Sequence, residues 1–281
     1  MPARIERGIV SLRGSVTVTR VEWSKLFAQL KVRLALAACV VGPFVFAAAM
    51  RVQTSLPTDT LFGRSVTDSG FATPLVVLGF AALWVFPVLA SIVGGDLFSA
   101  EDRHGTWVIL LTRSRSRIEI FTGKVIAALA FSAIAVTVLA LSSIAAGILV
   151  VGRQPLIDLS GILLTPGQAA IRVVLAWLTV LLPVFGFTAL AVLTSVVTRS
   201  SAAGTGLPVV AAMAMQLVAF LDSAPIARQM LMTSGFEAWR GLLTEPTYFG
   251  PLLYTTSASL LYVGACLAIA YRVLLRRDAG R

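Results

Sequence analysis

The sequence predicts an all-α membrane protein built on six transmembrane helices. Two observations carry this. The chain is 57% hydrophobic and only 13% charged, with a mean hydropathy of +0.89. Its charges are also spaced so that six long uncharged windows remain. Soluble domains carry about 25% charged residues, so roughly half of the usual charge is missing. Such a chain would expose large apolar patches to water, and its surface therefore belongs in lipid.

The windows are Leu34–Met50, Ser69–Gly95, Val125–Gly152, Val173–Thr198, Ser200–Leu221 and Pro246–Tyr271, each of 17 residues or more. A helix of roughly 17–25 residues crosses about 30 Å of hydrocarbon. The next longest uncharged stretch, Leu159–Ile171, is shorter and broken by Pro166 and Gly167, so it does not span. The expected organisation is a single transmembrane domain over 1–281. It has a tail and interfacial helix in 1–33, six spans in 34–272 and a second tail in 273–281.

Charge orients the spans. Of the 23 Lys and Arg, 17 fall in Met1–Arg33, Asp96–Lys124, Arg199 and Arg272–Arg281. Net charge is then +10 on that side and zero on the other. The positive-inside rule places that side, and with it both termini, in the cytoplasm of a cell inner (plasma) membrane. The pI of 10.8 is thus a topology signal and an attraction to anionic membrane lipid, not a sign of nucleic-acid binding. Ala47–Ala49 resembles a signal-peptide cleavage site, but the 33 residues before the first window make a poor leader, so the first span is expected to be retained.

Ahead of the first window, Trp23, Leu26, Phe27, Leu30 and Leu34 recur at helical spacing, with Glu22, Lys25, Gln29 and Arg33 on the other side. This pattern predicts an amphipathic helix in the membrane interface. The loop after the second window is the richest in chemistry. Residues 96–124 hold nine Asp, Glu, Lys and Arg of both signs, a density that suits a docking surface for a soluble protein. Gly105 and Thr106 divide it into two short helices, the first closed by the glycine and the second opened by the threonine. Glu101-x-x-His104, with Asp96 and Asp102 nearby, is half of a di-metal helix motif. Its second half is missing, and His104 is the only histidine, so neither a metal site nor catalytic residues are expected.

The spans hold no deeply placed charge, which argues against an ion-coupled carrier. The chain has no Gly-x-x-x-x-Gly-Lys-Ser/Thr loop, so energy must come from a partner. Gly42-Pro43, Pro87, Pro183 with Gly186, and Pro208 interrupt helices and predict kinks. Cys39 and Cys266 lie in apolar runs and read as packing residues. The loop Asp222–Gly250 is half apolar and predicts short helices on or in the outer leaflet.

The run Gly95-Asp96-x-x-x-x-Glu101-x-x-x-Gly105-Thr106-x-x-x-Leu110-Leu111, followed by Ser116-Arg117-x-Glu119-Ile120-x-x-Gly123-Lys124, resembles the signature loop of ABC transporter permeases of the type-2 exporter family. The six-span layout fits the same family. One position departs from it: Ser114 stands where the family often has proline. The resemblance implies a coupling helix between spans two and three that touches a separate ATPase subunit. Gly95, Asp96, Glu101, Gly105, Thr106, Arg117 and Lys124 match the motif, and Arg103 joins them as a charge of the same loop. It further implies two ATPase copies carrying the ATP and Mg, no cofactor in this chain, and a second permease, identical or related. In the family a central cavity forms between two permeases, lined largely by the second and fifth spans. Here Phe80 and Trp84 share one helical face, as do Met213, Gln216 and Phe220. Gln216 is the most polar side chain well inside any span, and its amide needs a partner, either on a neighbouring helix or in a wet cavity. The expected function is the membrane-spanning permease subunit of an ATP-driven exporter. The alternatives are a membrane-embedded lipid-modifying enzyme and a non-transporting membrane scaffold.

Overall fold

The computed structural model describes residues 2–53, 60–105, 116–219 and 225–276. Helix α1 (Pro2–Ala28) runs to Gln29, whose extended backbone (φ −77°, ψ 127°) separates it from α2 (Leu30–Val52). There follow α3 (Ala72–Phe80), a π-helical turn (Ala81–Val85), α4 (Phe86–Gly94) and the short α5 (Ser99–His104). Next come α6 (Arg117–Val150), a hairpin of β1 (Leu156–Ile157) and β2 (Leu163–Leu164), α7 (Pro166–Thr179) and α8 (Leu181–Thr198). The chain continues through α9 (Ser201–Ala219), α10 (Pro225–Met230), two short 3-10 segments (Met232–Phe236 and Ala238–Leu243) and α11 (Gly250–Leu275).

Among the described residues, six helices are long and apolar enough to cross a membrane: 30–52, 72–94, 117–150, 166–198, 201–218 and 250–275. The protein is therefore a mostly helical, multi-pass membrane protein. Several helices overrun their uncharged windows. The first begins at Leu30 and includes Lys31 and Arg33, whose long stems let the charge reach the polar boundary. The third begins at Arg117 because Ser116 and Glu119 form a capping box that satisfies the exposed N–H groups of its first turn.

Proline sets the irregularities inside the spans. Pro183 lacks an N–H for the carbonyl of Thr179, and the helix breaks there between α7 and α8. Pro87 likewise has nothing to give the carbonyl of Leu83, four residues earlier, within the π turn. The Gln216 amide of α9 donates to that carbonyl at 2.7 Å.

Two expectations need correction. The amphipathic run before the first span does not form one continuous helix. It is broken at Gln29, Leu30 and Leu34 are exposed on α2, and Glu22, assigned to the polar face, is buried. The reason is a buried lysine that draws Glu22 inward, described below. The all-α expectation also missed the hairpin, in which Leu156 pairs with Leu164 and Ile157 with Leu163. Asp158 builds its turn by accepting from the backbone N–H groups of Ser160 and Ile162 at 2.9 and 2.8 Å.

The apolar residues of 225–249 pack largely on protein. Met232, Phe236, Trp239, Leu242 and Leu243 are buried, whereas Met230 is exposed. Phe236 lies between spans, its ring centroid 5.7 Å from Phe86 of α4 and 5.7 Å from Phe187 of α8. Leu159 of the hairpin donates to the carbonyl of Leu243 at 2.8 Å, and Arg172 pairs with both Asp158 and Glu245. The bundle thus has a basic end, bearing α5 and the starts of α2 and α6, and a hairpin end covered by folded-back loops.

At the basic end Gly95 and Gly204 press backbone to backbone. A Cβ on Gly95 would lie 2.5 Å from the Gly204 carbonyl carbon, and one on Gly204 would lie 2.3 Å from the Gly95 oxygen. Neither neighbour can swing away, because both are main chain. Gly204→Val is expected to lower stability by about 1–3 kcal/mol through overpacking. Gly264→Val, where a Cβ meets nothing within 4 Å, is expected to shift it far less. Thermal unfolding of the two purified variants in detergent checks this.

Candidate functional site

The site is built from the loop that follows α4. Helix α5 has no N-cap side chain of its own. Ser195 of α8, fully buried, supplies one from across the bundle, its Oγ accepting from Phe98 N at 3.1 Å and Ser99 N at 3.0 Å. Gly105 closes the helix in the left-handed region at φ 63°, where glycine carries no steric cost.

Beneath this turn lies Lys124 of α6, with 1% of its surface exposed. An ammonium group has three N–H donors. Here the Nζ has three partners: the Leu97 carbonyl at 3.0 Å, Glu101 of α5 at 3.1 Å and Glu22 of α1 at 3.1 Å. The Phe98 ring covers it at 5.7 Å. Lys25 of α1, half exposed, bridges the same two carboxylates at 3.1 Å each, so two cations face two anions. Burial alone would lower the Lys25 pKa, but the charges and hydrogen bonds of Glu22 and Glu101 outweigh it and hold it above its ordinary 10.5.

A second cluster adjoins the first. Asp96 accepts from Lys31 of α2 at 2.7 Å, Arg103 of α5 at 3.2 Å and the Ser201 hydroxyl of α9. Burial would raise its pKa, yet these hydrogen bonds and charges hold the carboxyl below its ordinary 3.8. Further contacts seat α1 on α6. Thr19 donates to the Gly123 carbonyl at 3.1 Å, Ser15 and Thr122 share a 2.8 Å hydrogen bond, and Val18 occupies the space a Gly123 side chain would need.

The residues expected at a docking surface therefore divide. Asp96, Glu101, Arg103 and Lys124 converge in one network, Gly95 is packed on Gly204, and Gly105 is exposed. Arg117 stands apart, donating to the carbonyls of Leu274 and Leu275 at 3.3 and 2.9 Å, which caps the end of α11. Arg103 is the network member whose side chain is most open, 56% exposed. Thr106 lies outside the described residues, as do Leu110 and Leu111. Glu22, Lys25, Lys31, Ser195 and Ser201 complete the site, although none of them was expected in it.

The expected pathway residues divide too. Phe80 and Gln216 line a cavity of about 470 Å³ at the hairpin end, whereas Trp84 and Met213 are exposed and do not line it. Phe220 lies outside the described residues.

Two outcomes follow from the network. Lys124→Met leaves Glu22 and Glu101 buried with only Lys25 between them, and removing one partner of a buried ion pair costs about 3–5 kcal/mol. Adding Glu22→Gln and Glu101→Gln to that variant is expected to restore part of the loss, read as recovery of the thermal unfolding midpoint. The pH dependence has two limits. Asp96 contributes fully above its ordinary 3.8, and the contribution is lost as pH falls through its depressed folded value. Lys25 contributes fully below 10.5, and that is lost as pH rises through its raised value. Asp96→Asn is expected to have a lower midpoint at neutral pH and a shallower acid-side decline than the parent. Unfolding midpoints recorded from acid to neutral pH check this.

Among curated proteins no sequence gives a significant match. The sequence profile described as ABC-2 family transporter protein matches residues 18–215, which takes in α2 to α8, most of α9, and the end of α1 that carries Glu22 and Lys25. A match over so much of the chain, on a six-span bundle, settles the family: the chain belongs to the ABC-2 transporter membrane family, the permease components of ABC transporters.

Proposed function

We propose that this chain is the permease subunit of an ATP-driven exporter in the cell inner membrane, with both termini in the cytoplasm. It works as a dimer with an identical or related permease, above two ATPase subunits that hold the ATP and Mg. The observation that carries this reading is the charged turn 95–105 fastened to four helices by Lys124 and Asp96. A solvated surface loop has no need of such anchoring. A lever that transmits force does, because displacement of α5 by a docked ATPase is passed through Glu101 and Lys124 to α1 and α6, and through Asp96 to α2 and α9. The network lies at the basic end, the side that the positive-inside rule puts in the cytoplasm. The family normally pairs with an ATPase subunit, and this chain lacks a nucleotide-binding loop.

In this reading α1 is the interfacial helix, α5 belongs to the coupling element, and Arg103 and Gly105 face the ATPase. Glu101 and Lys124 act behind them as positioning residues, and Arg117 holds the end of α11 against the start of α6. Reporter fusions after Asp158 and Arg240 are expected to read as external, and a fusion after Arg276 as cytoplasmic. A cytoplasmic signal at Asp158 removes the proposed topology. For coupling, Arg103→Gln is the informative variant, because it removes the charge of an open side chain without setting a carboxylate against Asp96. It is expected to keep the unfolding midpoint within a few degrees of the parent while ATPase co-purification and substrate-stimulated hydrolysis fall several-fold. Unchanged hydrolysis and co-purification would place the docking surface elsewhere.

A further inference from the structure

We propose that the β1–β2 hairpin is a membrane-binding element, seated in the outer leaflet with Ile157 and Leu163 at the boundary between headgroups and acyl chains. Such a seat lies outside the permease reading, on which it rests only for calling that leaflet the outer one. The hairpin is apolar on both faces. Leu156 pairs with Leu164, and both are buried in the core; Ile157 pairs with Leu163, and these two are 53% and 64% exposed. Successive side chains of a strand point to opposite faces, so a hairpin with one face on protein and the other in water alternates apolar and polar residues. Here isoleucine and leucine stand where the polar set belongs. Leu159 and Ile162, which flank the turn, are exposed as well.

The place of the hairpin in the fold makes lipid its partner. Strand β2 leads through Thr165 straight into α7, the first half of the fourth span. The exposed residues Ile171, Val174, Leu175 and Leu178 form one apolar face of α7, at i, i+3, i+4 and i+7. On a helix that crosses a bilayer, such a face meets acyl chains. Arg172 holds the hairpin beside it. This residue stands about 9 Å along the axis from Pro166, at 1.5 Å per residue. Its guanidinium reaches Asp158 at 3.5 Å and also pairs with Glu245. The Asp158 side chain is fully enclosed and that of Arg172 nearly so, which keeps the pair from bringing a bare charge to the boundary. The turn is fastened as well to the loop ahead of the sixth span: Glu245 N donates to the Ser160 Oγ at 2.9 Å, and Leu159 N to the Leu243 carbonyl at 2.8 Å. Just beyond that loop, Tyr248 and Phe249 are exposed where α11 begins, and aromatic rings gather at the level of the headgroups. The exposed polar residues lie at the two ends of the hairpin, Arg153 and Gln154 ahead of β1 and Ser160 at the turn. That distribution suits an element lying in the plane of the interface.

Spin-label accessibility tests the seat directly. Cys39→Ala and Cys266→Ala remove the native thiols, and Ile157→Cys, Leu163→Cys or Leu178→Cys then introduces a single site for a nitroxide. The full chain, without any ATPase, is placed in phosphatidylcholine nanodiscs. Power saturation is recorded with oxygen, which concentrates in acyl chains, and with a water-soluble nickel chelate. The ratio of oxygen to nickel collisions at 157 and 163 is expected to exceed that of free label in buffer several-fold and to stay below that at the deeper position 178. If Leu163→Cys does not fold, Ile162→Cys takes its place. A ratio no higher than that of free label puts the face in water and overturns the proposal. So does protection from both reagents, which puts protein over the face; dipolar broadening between labels then identifies a second copy as the cover.

A second measurement needs no label. A face in water accepts amides at little cost, whereas a face in lipid does not. Ile157→Gln combined with Leu163→Gln is therefore expected to lower the unfolding midpoint in nanodiscs, and an unchanged midpoint counts against the lipid seat. Collision ratios do not depend on which side of the membrane the hairpin occupies, and no ATPase is present. Failure here leaves the topology and coupling tests untouched, and a cytoplasmic reading at Asp158 would rename the leaflet without moving the hairpin out of it.

Discussion

The buried ammonium of Lys124 is the constraint on which the basic end depends. Taking one charge out of water costs several kcal/mol, and the cost is offset only when each donor meets an acceptor and a counter-charge lies close. No single helix can meet that demand. Lys124 therefore requires Glu22 from α1, Glu101 from α5 and the Leu97 carbonyl in their places together. The position of α1 against α6 follows, with Gly123 leaving room for Val18 and Thr19 reaching the Gly123 carbonyl. So does the direction of the turn after α4, which Ser195 then caps from a different span. Asp96 extends the same logic to α2 and α9.

The hairpin end is held by different physics. Its loops fold back and bury Phe236 among Phe86, Phe187 and their neighbours, and the backbone turns are closed by Asp158, with Arg172 tying hairpin to loop. Between the two ends, the second span contains the π-helical turn Ala81–Val85. Pro87 has no N–H to offer the Leu83 carbonyl, and the Gln216 amide donates to that carbonyl from α9.

Much of this was legible in the amino-acid order. Apolar length and charge spacing located six spans because hydrocarbon tolerates neither unpaired backbone nor free charge. Window edges were less reliable. Lys31 and Lys124 sit within helices, one stretching to the boundary and the other buried against carboxylates, and a count of uncharged residues stops short at both. The start of α6 had a readable signal in Ser116-Arg117-Ile118-Glu119, the spacing of a capping box. Arg117 was expected with the coupling residues of the loop, and the sequence could not show that it also donates to backbone carbonyls at the end of α11, more than 150 residues away.

What the sequence determined by itself was the solvent: which segments lie in lipid, which end is basic, which loop carries mixed charge, and that Gln216 needed a partner. These depend on local composition and on the fixed geometry of a helix. Only the tertiary structure decided which charges meet. Glu22 and Lys25 are three residues apart on one helix and alike in hydropathy, yet one is buried and the other half exposed. Only the structure, too, set Phe80 and Gln216 around one cavity while leaving Trp84 and Met213 outside it. The reason is that helical periodicity orders side chains around an axis but does not say what stands opposite. That is fixed by which helices touch, and here the contacts are set by glycine pairs and a shared lysine.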